Sequence, residues 1–395
     1  MRFLQSNDGL DDDSIVTSTS KDQAEVEESV SKCYQHLRSI YELDSDIPKL
    51  LRTLHIQYLQ KGLFTTLPQR FEGLDASRPW LTYWICHSLA LLGDQTVLSL
   101  ASKRIIRFLA TCKNKTGGYG GGPGQMSHLA TTYAAVNALA TLCSEEALNS
   151  IDRSSLLQFL TDMKQADGSF TMHKGGECDM RGVYCAISVA YLCNIQNDQL
   201  FENTASWIIS CQTFEGGFGA TPGNEAHGGY TFCAVAALML LGLTHKCNVK
   251  SLLRWIVNKQ YNLEGGFAGR TNKLVDACYS FWQGAVLPMI HAILCSYQGN
   301  IISIDTWLFH QQAMQEYILG CCQDPCGGLI DKPKKQRDYY HTCYGLSGLS
   351  IAQHAPGGDV IIGPESNRLV NTHPVYNVNI DAVNLAQQVF KERVV

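Results

Sequence analysis

Three residues of the types that serve as zinc ligands stand at two points of the sequence. Asp276 and Cys278 are one residue apart in "LVDACYSF", and His341 opens "HTCYGLSG". A carboxylate, a thiolate and an imidazole are ordinary zinc donors, and three protein ligands leave a fourth position open, the pattern of a catalytic site rather than a structural one. Zinc held this way would keep an incoming thiol deprotonated at neutral pH. Each residue alone has a plainer reading. One cysteine among 16 is ordinarily a small buried hydrophobe, Asp276 suits a helix N-cap, and His341 suits a hydrogen-bonded first turn. The cluster "CCQDPC" at 321–326 is a rival, although it lacks a second ligand pair at a suitable distance.

Positive charge stands beside the Asp-x-Cys pair. Arg270 and Lys273 precede Asp276 by six and three residues, and Tyr279 follows Cys278. His227 and Tyr230, in "EAHGGYTF", hold the corresponding place one repeat earlier. The whole chain carries a net charge of −5, so no general basic field invites nucleic acid and any anion site must be local. A cation cluster near helix N-termini suits a phosphate group. Trp80, Trp84, Tyr184, Tyr230, Trp282 and Tyr340 each read singly as core. Together they suit a cavity that is aromatic inside and cationic at its rim, made for a ligand with an apolar tail and an anionic head.

The elements that must position these residues repeat. Gly-rich marks occur at "TGGYGG" (116–121), "DGSF" (167–170), "EGGFG" (215–219), "EGGFAG" (264–269) and "CGGLID" (326–331), with Tyr119, Phe170, Phe218, Phe267 and Leu329 spaced 51, 48, 49 and 62 residues apart. After each mark comes a segment apolar nearly all round, such as "YTFCAVAALMLL", the signature of a helix buried on every side. Between them lie amphipathic stretches such as "SLLRWIVNKQ" (251–260). A unit of about 50 residues with a turn, an inner helix and an outer helix stacks into a solenoid or closes as an α/α barrel. "RPWLTYWICHSLALLG" (78–93) fits as a first inner helix without its Gly mark. Cys278, Phe281, Trp282 and Ala285 fall on one face of a single helix. The fold class is therefore all-α, with inner and outer rings of helices over residues 23–395 and a disordered acidic tail over 1–22.

Apolar residues make up 45% of the 395 and charged residues 17%, an ordinary globular balance. The longest apolar run, "CAVAALMLLGL", is too short to span a membrane, so an integral membrane protein is not expected. The N-terminal residues lack the pattern of a signal peptide, and the 16 cysteines are expected as free thiols in a reducing, cytoplasmic setting. "KERVV" places no cysteine four from the end, so the chain is not expected to be prenylated there itself.

The segments "SRPWLTYWICHSLALL", "GGYGGGPGQMSHLATTYAAVNALATL", "QADGSFTMHKGGECDMRGVYCAISVAYL", "EGGFGATPGNEAHGGYTFCAVAAL", "EGGFAGRTNKLVDACYSFWQ" and "RDYYHTCYGLSGLSIAQH" resemble the β subunits of the protein prenyltransferases over residues 50 to 380, with the pattern of the farnesyl-transferring members. The resemblance implies a heterodimer with a helical α subunit. It also implies zinc-dependent transfer of farnesyl from farnesyl diphosphate to the cysteine of a C-terminal Cys-aliphatic-aliphatic-X (CaaX) sequence. By the same resemblance the zinc ligands are Asp276, Cys278 and His341, and Asp331 helps hold Mg2+ on the diphosphate. The diphosphate meets His227, Arg270, Lys273, Tyr279 and Lys335. The isoprenoid lies along Trp80, Tyr184, Tyr230, Cys233, Trp282 and Tyr340, and the peptide against Trp80, Trp84, His128, Ala130, Arg181 and Tyr340. Trp80 and Asp331 follow the farnesyl pattern rather than that of the type I geranylgeranyl relatives. Gly345, where the family pattern has cysteine, and Thr131, where it has proline, depart from it.

Three alternatives remain at this stage. A type I geranylgeranyltransferase β subunit shares the fold and the chemistry. A terpene cyclase would need an acidic protonating cluster, and the comparable run is "LDDDS" at 10–14. A non-catalytic helical scaffold would have a filled ring and no metal.

Overall fold

Residues 15–296, 303, 307–354 and 357–393 are described by a computed structural model of the chain. Its architecture is set at the Gly-rich marks. At all five, the aromatic or leucine residue bridges back to the end of the preceding helix: Tyr119 to Lys113, Phe170 to Lys164, Phe218 to Gln212, Phe267 to Gln260 and Leu329 to Gln323. At three of them a threonine hydroxyl thirteen residues on accepts the backbone N–H of the mark. Thr132 takes that of Tyr119, Thr231 that of Phe218 and Thr342 that of Leu329, each at 2.9 Å. One mark therefore ties the end of an outer helix to the first turn of an inner one. Gly216 shows why glycine stands there: φ is +114°, and an added Cβ would lie 2.1 Å from the Ser251 carbonyl oxygen of the next unit.

In chain order the helices are α1 (Ser18–Tyr41), α2 (Arg52–Phe64), α3 (Arg78–Leu91), α4 (Gln95–Cys112), α5 (Leu129–Thr141), α6 (Glu145–Asn149), α7 (Arg153–Met163), α8 (Met180–Leu192), α9 (Thr204–Ser210), α10 (Gly228–Leu240), α11 (Val249–Val257), α12 (Tyr279–Trp282), α13 (Val286–Ser296), α14 (Gln311–Cys321), α15 (Tyr339–Gln353) and α16 (Ile380–Lys391). Helices α3, α5, α8, α10, α12 with α13, and α15 pack side by side in that order, and α15 returns to α3. The inner ring is closed, so the chain is an α/α barrel. Inner helix α5 buries every residue except Ala130. Outer helix α11 buries one stripe, Val249, Leu252, Trp255 and Ile256. Strand among the described residues is limited to Leu329–Ile330 paired with Arg337–Asp338. Residues 375–377 close the floor of the barrel. Tyr83 Oη donates to the Asn377 carbonyl at 2.7 Å, Tyr184 Oη to that of Val375 at 2.7 Å, and Asn137 Nδ2 to that of Tyr376 at 3.1 Å.

Two elements differ from the sequence reading. The helix expected through 278–285 is one turn, α12, followed by a wide turn in which the Gly284 N–H reaches the Tyr279 carbonyl five residues back at 3.2 Å. An added Cβ on Gly284 would lie 2.0 Å from the Ser280 carbonyl oxygen, and Pro288 lacks the N–H that a continuous helix needs, so the chain restarts as α13. The second difference is α1. Residues 18–22, expected within the disordered tail, are helical: Thr17 and Ser20 cap each other in a reciprocal capping box. Residues 1–14, including "LDDDS", lie outside the described residues.

Candidate active site

Every inner helix sends its first turns to the same rim of the barrel. There α3 supplies Trp80 and Trp84, α5 Ala130 and Tyr133, α8 Arg181, Tyr184 and Cys185, α10 Gly229, Tyr230 and Cys233, α12 Tyr279 and Trp282, and α15 Tyr340 and Tyr344. His128 and His227, the N-caps of α5 and α10, complete the wall of a cavity of about 470 Å³ with Ser77, Met172 and Glu177. All six residues expected along an isoprenoid line it, as do all six expected against a peptide. The rings interlock: Trp80 lies 5.7 Å from Trp84 and 5.6 Å from Tyr133, and Trp282 Nε1 donates to Tyr340 Oη at 3.0 Å.

Next to Tyr340 and Tyr279 is the three-donor cluster. One ligand atom from each of Asp276, Cys278 and His341 lies within 4.8 Å of the others, the one such group among the described residues; "CCQDPC" forms none. His341 is oriented from behind. Asp338 Oδ1 accepts its backbone N–H at 2.7 Å, and Asp338 Oδ2 faces its Nδ1 at 2.7 Å. Nε2 then points at the cluster. It is buried and has no aligned hydrogen-bond partner, although Asp276 Oδ1 is within ion-pair reach at 3.3 Å. A buried ring nitrogen that makes no aligned hydrogen bond, beside a carboxylate and a thiol, fits zinc.

The charge balance agrees. Burial pushes the Cys278 thiol well up, and the Asp276 carboxylate pushes it further, so a cation is needed to ionise it. Burial alone would lower His341, yet Asp276 and Asp338 together lift it to about 10. Burial would likewise raise Asp276, but the His341 imidazole outweighs it and holds the carboxyl below its usual range.

The rim can hold an anion. His227 Nδ1 accepts the Gly229 N–H at 3.1 Å, so a neutral ring carries its proton on Nε2. Burial, aided by Arg270, lowers its pKa and keeps the ring neutral. Nε2 lies 2.9 Å from Tyr279 Oη, and as donor there it leaves the phenolic O–H free to donate elsewhere. Arg270 Nη1 is held by Glu225 at 2.8 Å, half-exposed beside this pair. Lys273 and Lys335 are exposed and do not line the cavity. Lys273 borders a groove with Thr17, Gln23, Glu27 and Tyr261 instead.

Asp331 is held by a neighbour: both of its oxygens face Lys332 Nζ at 2.5 Å, and each keeps a second lone pair that a cation could take. Burial, then the like charge of Asp276, raises its pKa. Thr131 turns away from the cavity and donates to the Tyr119 carbonyl at 2.7 Å. Tyr133, Tyr344, Met172 and Glu177 line the site without having been singled out. Tyr344 follows Tyr340 by one helical turn and Tyr133 follows Ala130 by three residues, spacings that carry the signal.

Residues 50–378 match the family described as the prenyltransferase alpha-alpha toroid domain. The chain is 43% identical over 391 residues to a protein farnesyltransferase subunit beta of Pisum sativum, covering 84% of this chain and 92% of that one. It is 32% identical over 333 residues to a geranylgeranyl transferase type-1 subunit beta of Arabidopsis thaliana, covering 76% and 84%. Among solved structures, Candida albicans protein geranylgeranyltransferase-I complexed with GGPP superposes with a TM-score of 0.71 over 87% of this chain and 100% of that one, at 22% identity, a likeness of fold. The chain belongs to the prenyltransferase α/α-toroid family and groups there with the farnesyltransferase β subunits.

Proposed function

We propose that this chain is the catalytic β subunit of a protein farnesyltransferase. It acts as a heterodimer with an α subunit and moves a farnesyl group from farnesyl diphosphate to the cysteine thiol of C-terminal CaaX sequences. The observation that carries this is adjacency: the three-donor cluster lies beside the aromatic cavity, with His341 next to the lining Tyr340 in α15 and Cys278 next to the lining Tyr279 at α12. Asp276, Cys278 and His341 would hold zinc, which would supply the positive charge that keeps a substrate thiol ionised. Residues 338 and 341 hold the imidazole lone pair toward that position.

The remaining work falls to the chain. The aromatic wall takes the isoprenoid and excludes water. A sulfur–carbon bond forms at C1 as the C1–oxygen bond breaks, and the electron pair leaves with the diphosphate. Tyr279 donates its O–H to the growing charge, His227 holds that phenol in place, and Arg270 adds a guanidinium once it leaves Glu225. Burial pushes the Tyr279 phenol up, so it remains a donor at neutral pH. Trp80, packed on Trp84 and Tyr133, shortens the cavity, which favours the fifteen-carbon lipid over the twenty-carbon one. All 16 cysteines are free thiols, which suits a cytoplasmic enzyme.

The test is co-expression with a prenyltransferase α subunit and assay of transfer to a CaaX peptide with farnesyl and geranylgeranyl diphosphates side by side. Preferential farnesyl transfer is expected. A preference for geranylgeranyl overturns the lipid assignment, and no transfer of either overturns the activity.

A further inference from the structure

Asp276 sits between two residues that face the other way. Val275 and Ala277 are fully buried, not in the barrel core but in a second, separate cluster with Tyr317, Cys321, Cys322 and Ile330. The inner face of the same segment presents the Asp276 carboxylate to the donor cluster. The segment is thin: Asp276 N–H bonds the Phe267 carbonyl at 3.1 Å, and Ala277 N–H bonds that of Asp331 at 2.8 Å. Its outer face therefore depends on whatever covers it.

Helix α1 packs on α14 and shares this cluster. Val30, fully buried, and Tyr34 fill this second cluster. The helix is tied down at Glu264, itself buried in the Gly-rich mark ahead of the ligand segment. Tyr34 Oη donates to the Glu264 carbonyl at 2.5 Å, and Gln23 Nε2 donates to Glu264 Oε1 at 2.7 Å. The same helix flanks Asn272 and Lys273 across a shared groove. It precedes the region that matches the family, which begins at residue 50.

We propose that α1 is a positioning strap for the metal ligands. Through Val30 and Tyr34 it fixes where residues 275–277 present the Asp276 carboxylate, and its packing thereby sets zinc affinity. The proposal rests on the zinc reading above. Val30 and Tyr34 touch neither metal nor substrate; they act through Val275 and Ala277.

The experiment uses the full chain co-expressed with an α subunit and measures the zinc dissociation constant by chelator competition. Val30→Ala is expected to weaken zinc about tenfold, the lower end of what outer partners of metal ligands contribute. Tyr34→Phe, which removes only the hydroxyl, is expected to weaken it about threefold and keeps the test open if Val30→Ala fails to fold. Val30→Ile is expected to restore wild-type affinity. A merely structural role is separated by Leu160→Ala, which empties a fully buried site in α7 and is expected to lower thermal stability with zinc affinity within twofold of wild type. The cobalt-substituted protein gives a second readout, since its visible bands shift only when ligand geometry changes. Wild-type zinc binding with Val30→Ala and Tyr34→Phe unaltered overturns the strap alone, as does an equal loss in Leu160→Ala. A wild-type chain that holds no zinc overturns the zinc reading and the strap with it.

Discussion

Asp338→Asn separates the orientation of His341 from the integrity of the helix that carries it. Asp338 does two jobs with two oxygens: Oδ1 caps the first turn of α15 at the His341 N–H, and Oδ2 takes the ring Nδ1–H, both at 2.7 Å. Asparagine caps helices as well as aspartate does, so the first job survives. The second loses its charge, and with it the partner that raises the basicity of Nε2 and fixes its tautomer. Outer-shell partners of this kind are worth 10- to 100-fold in metal affinity, or about 1.4–2.7 kcal/mol. The expected result is zinc affinity lower by that factor, measured by chelator competition, with little change in the thermal midpoint. Affinity within twofold of wild type refutes the role of the Asp338–His341 bond. A large drop in thermal stability refutes the claim that the cap and the ring contact are separable.

Tyr279→Phe removes the phenolic donor while keeping the ring packing, and a hydrogen bond to a charged group is worth about 1.5–3 kcal/mol, so single-turnover transfer should slow roughly 10- to 150-fold; an unchanged rate removes Tyr279 from the reaction. Trp80→Thr should lengthen the cavity and shift competition between the two diphosphates toward geranylgeranyl; an unaltered ratio counts against the steric account. Stability should depend on pH through three imidazoles, two buried and one half-buried, since desolvation pushes His55, His87 and His373 down to about 4. Between there and the unfolded value near 6.5 the unfolded chain binds more protons, so stability rises with pH across that window and is lost as pH falls through it, by up to about 3 kcal/mol per histidine. Denaturant titrations at pH 7 and pH 4.5 check this, and equal midpoints contradict it.

The barrel was legible because its units announce themselves: the Gly-rich mark, the step of about fourteen residues to the next helix, and helices apolar nearly all round. The proposed donor residues stood out for a related reason, since carboxylate, thiol and imidazole fell at equivalent starts of successive inner helices. Ion pairing was not legible. Glu225 holding Arg270 and Lys332 holding Asp331 depend on how loops from different units meet or how a neighbouring side chain folds back, which spacing does not encode. Cavity residues such as Tyr133 and Tyr344 look like core in sequence, because only the position of the void distinguishes a lining aromatic from a packed one. The first turn of α1 was not legible for a local reason: its capping residues lie in "TSTS", which reads as polar low complexity, while the helix's buried partners Val275 and Ile330 are more than 200 residues away.

Elemental analysis of the purified heterodimer, wild type beside Cys278→Ala, tests the central claim most directly. The account predicts one zinc per β chain in the wild type, and its loss together with transfer activity in a Cys278→Ala protein that keeps its helical circular dichroism. Equal zinc in both proteins, or transfer by a metal-free wild type, would contradict it.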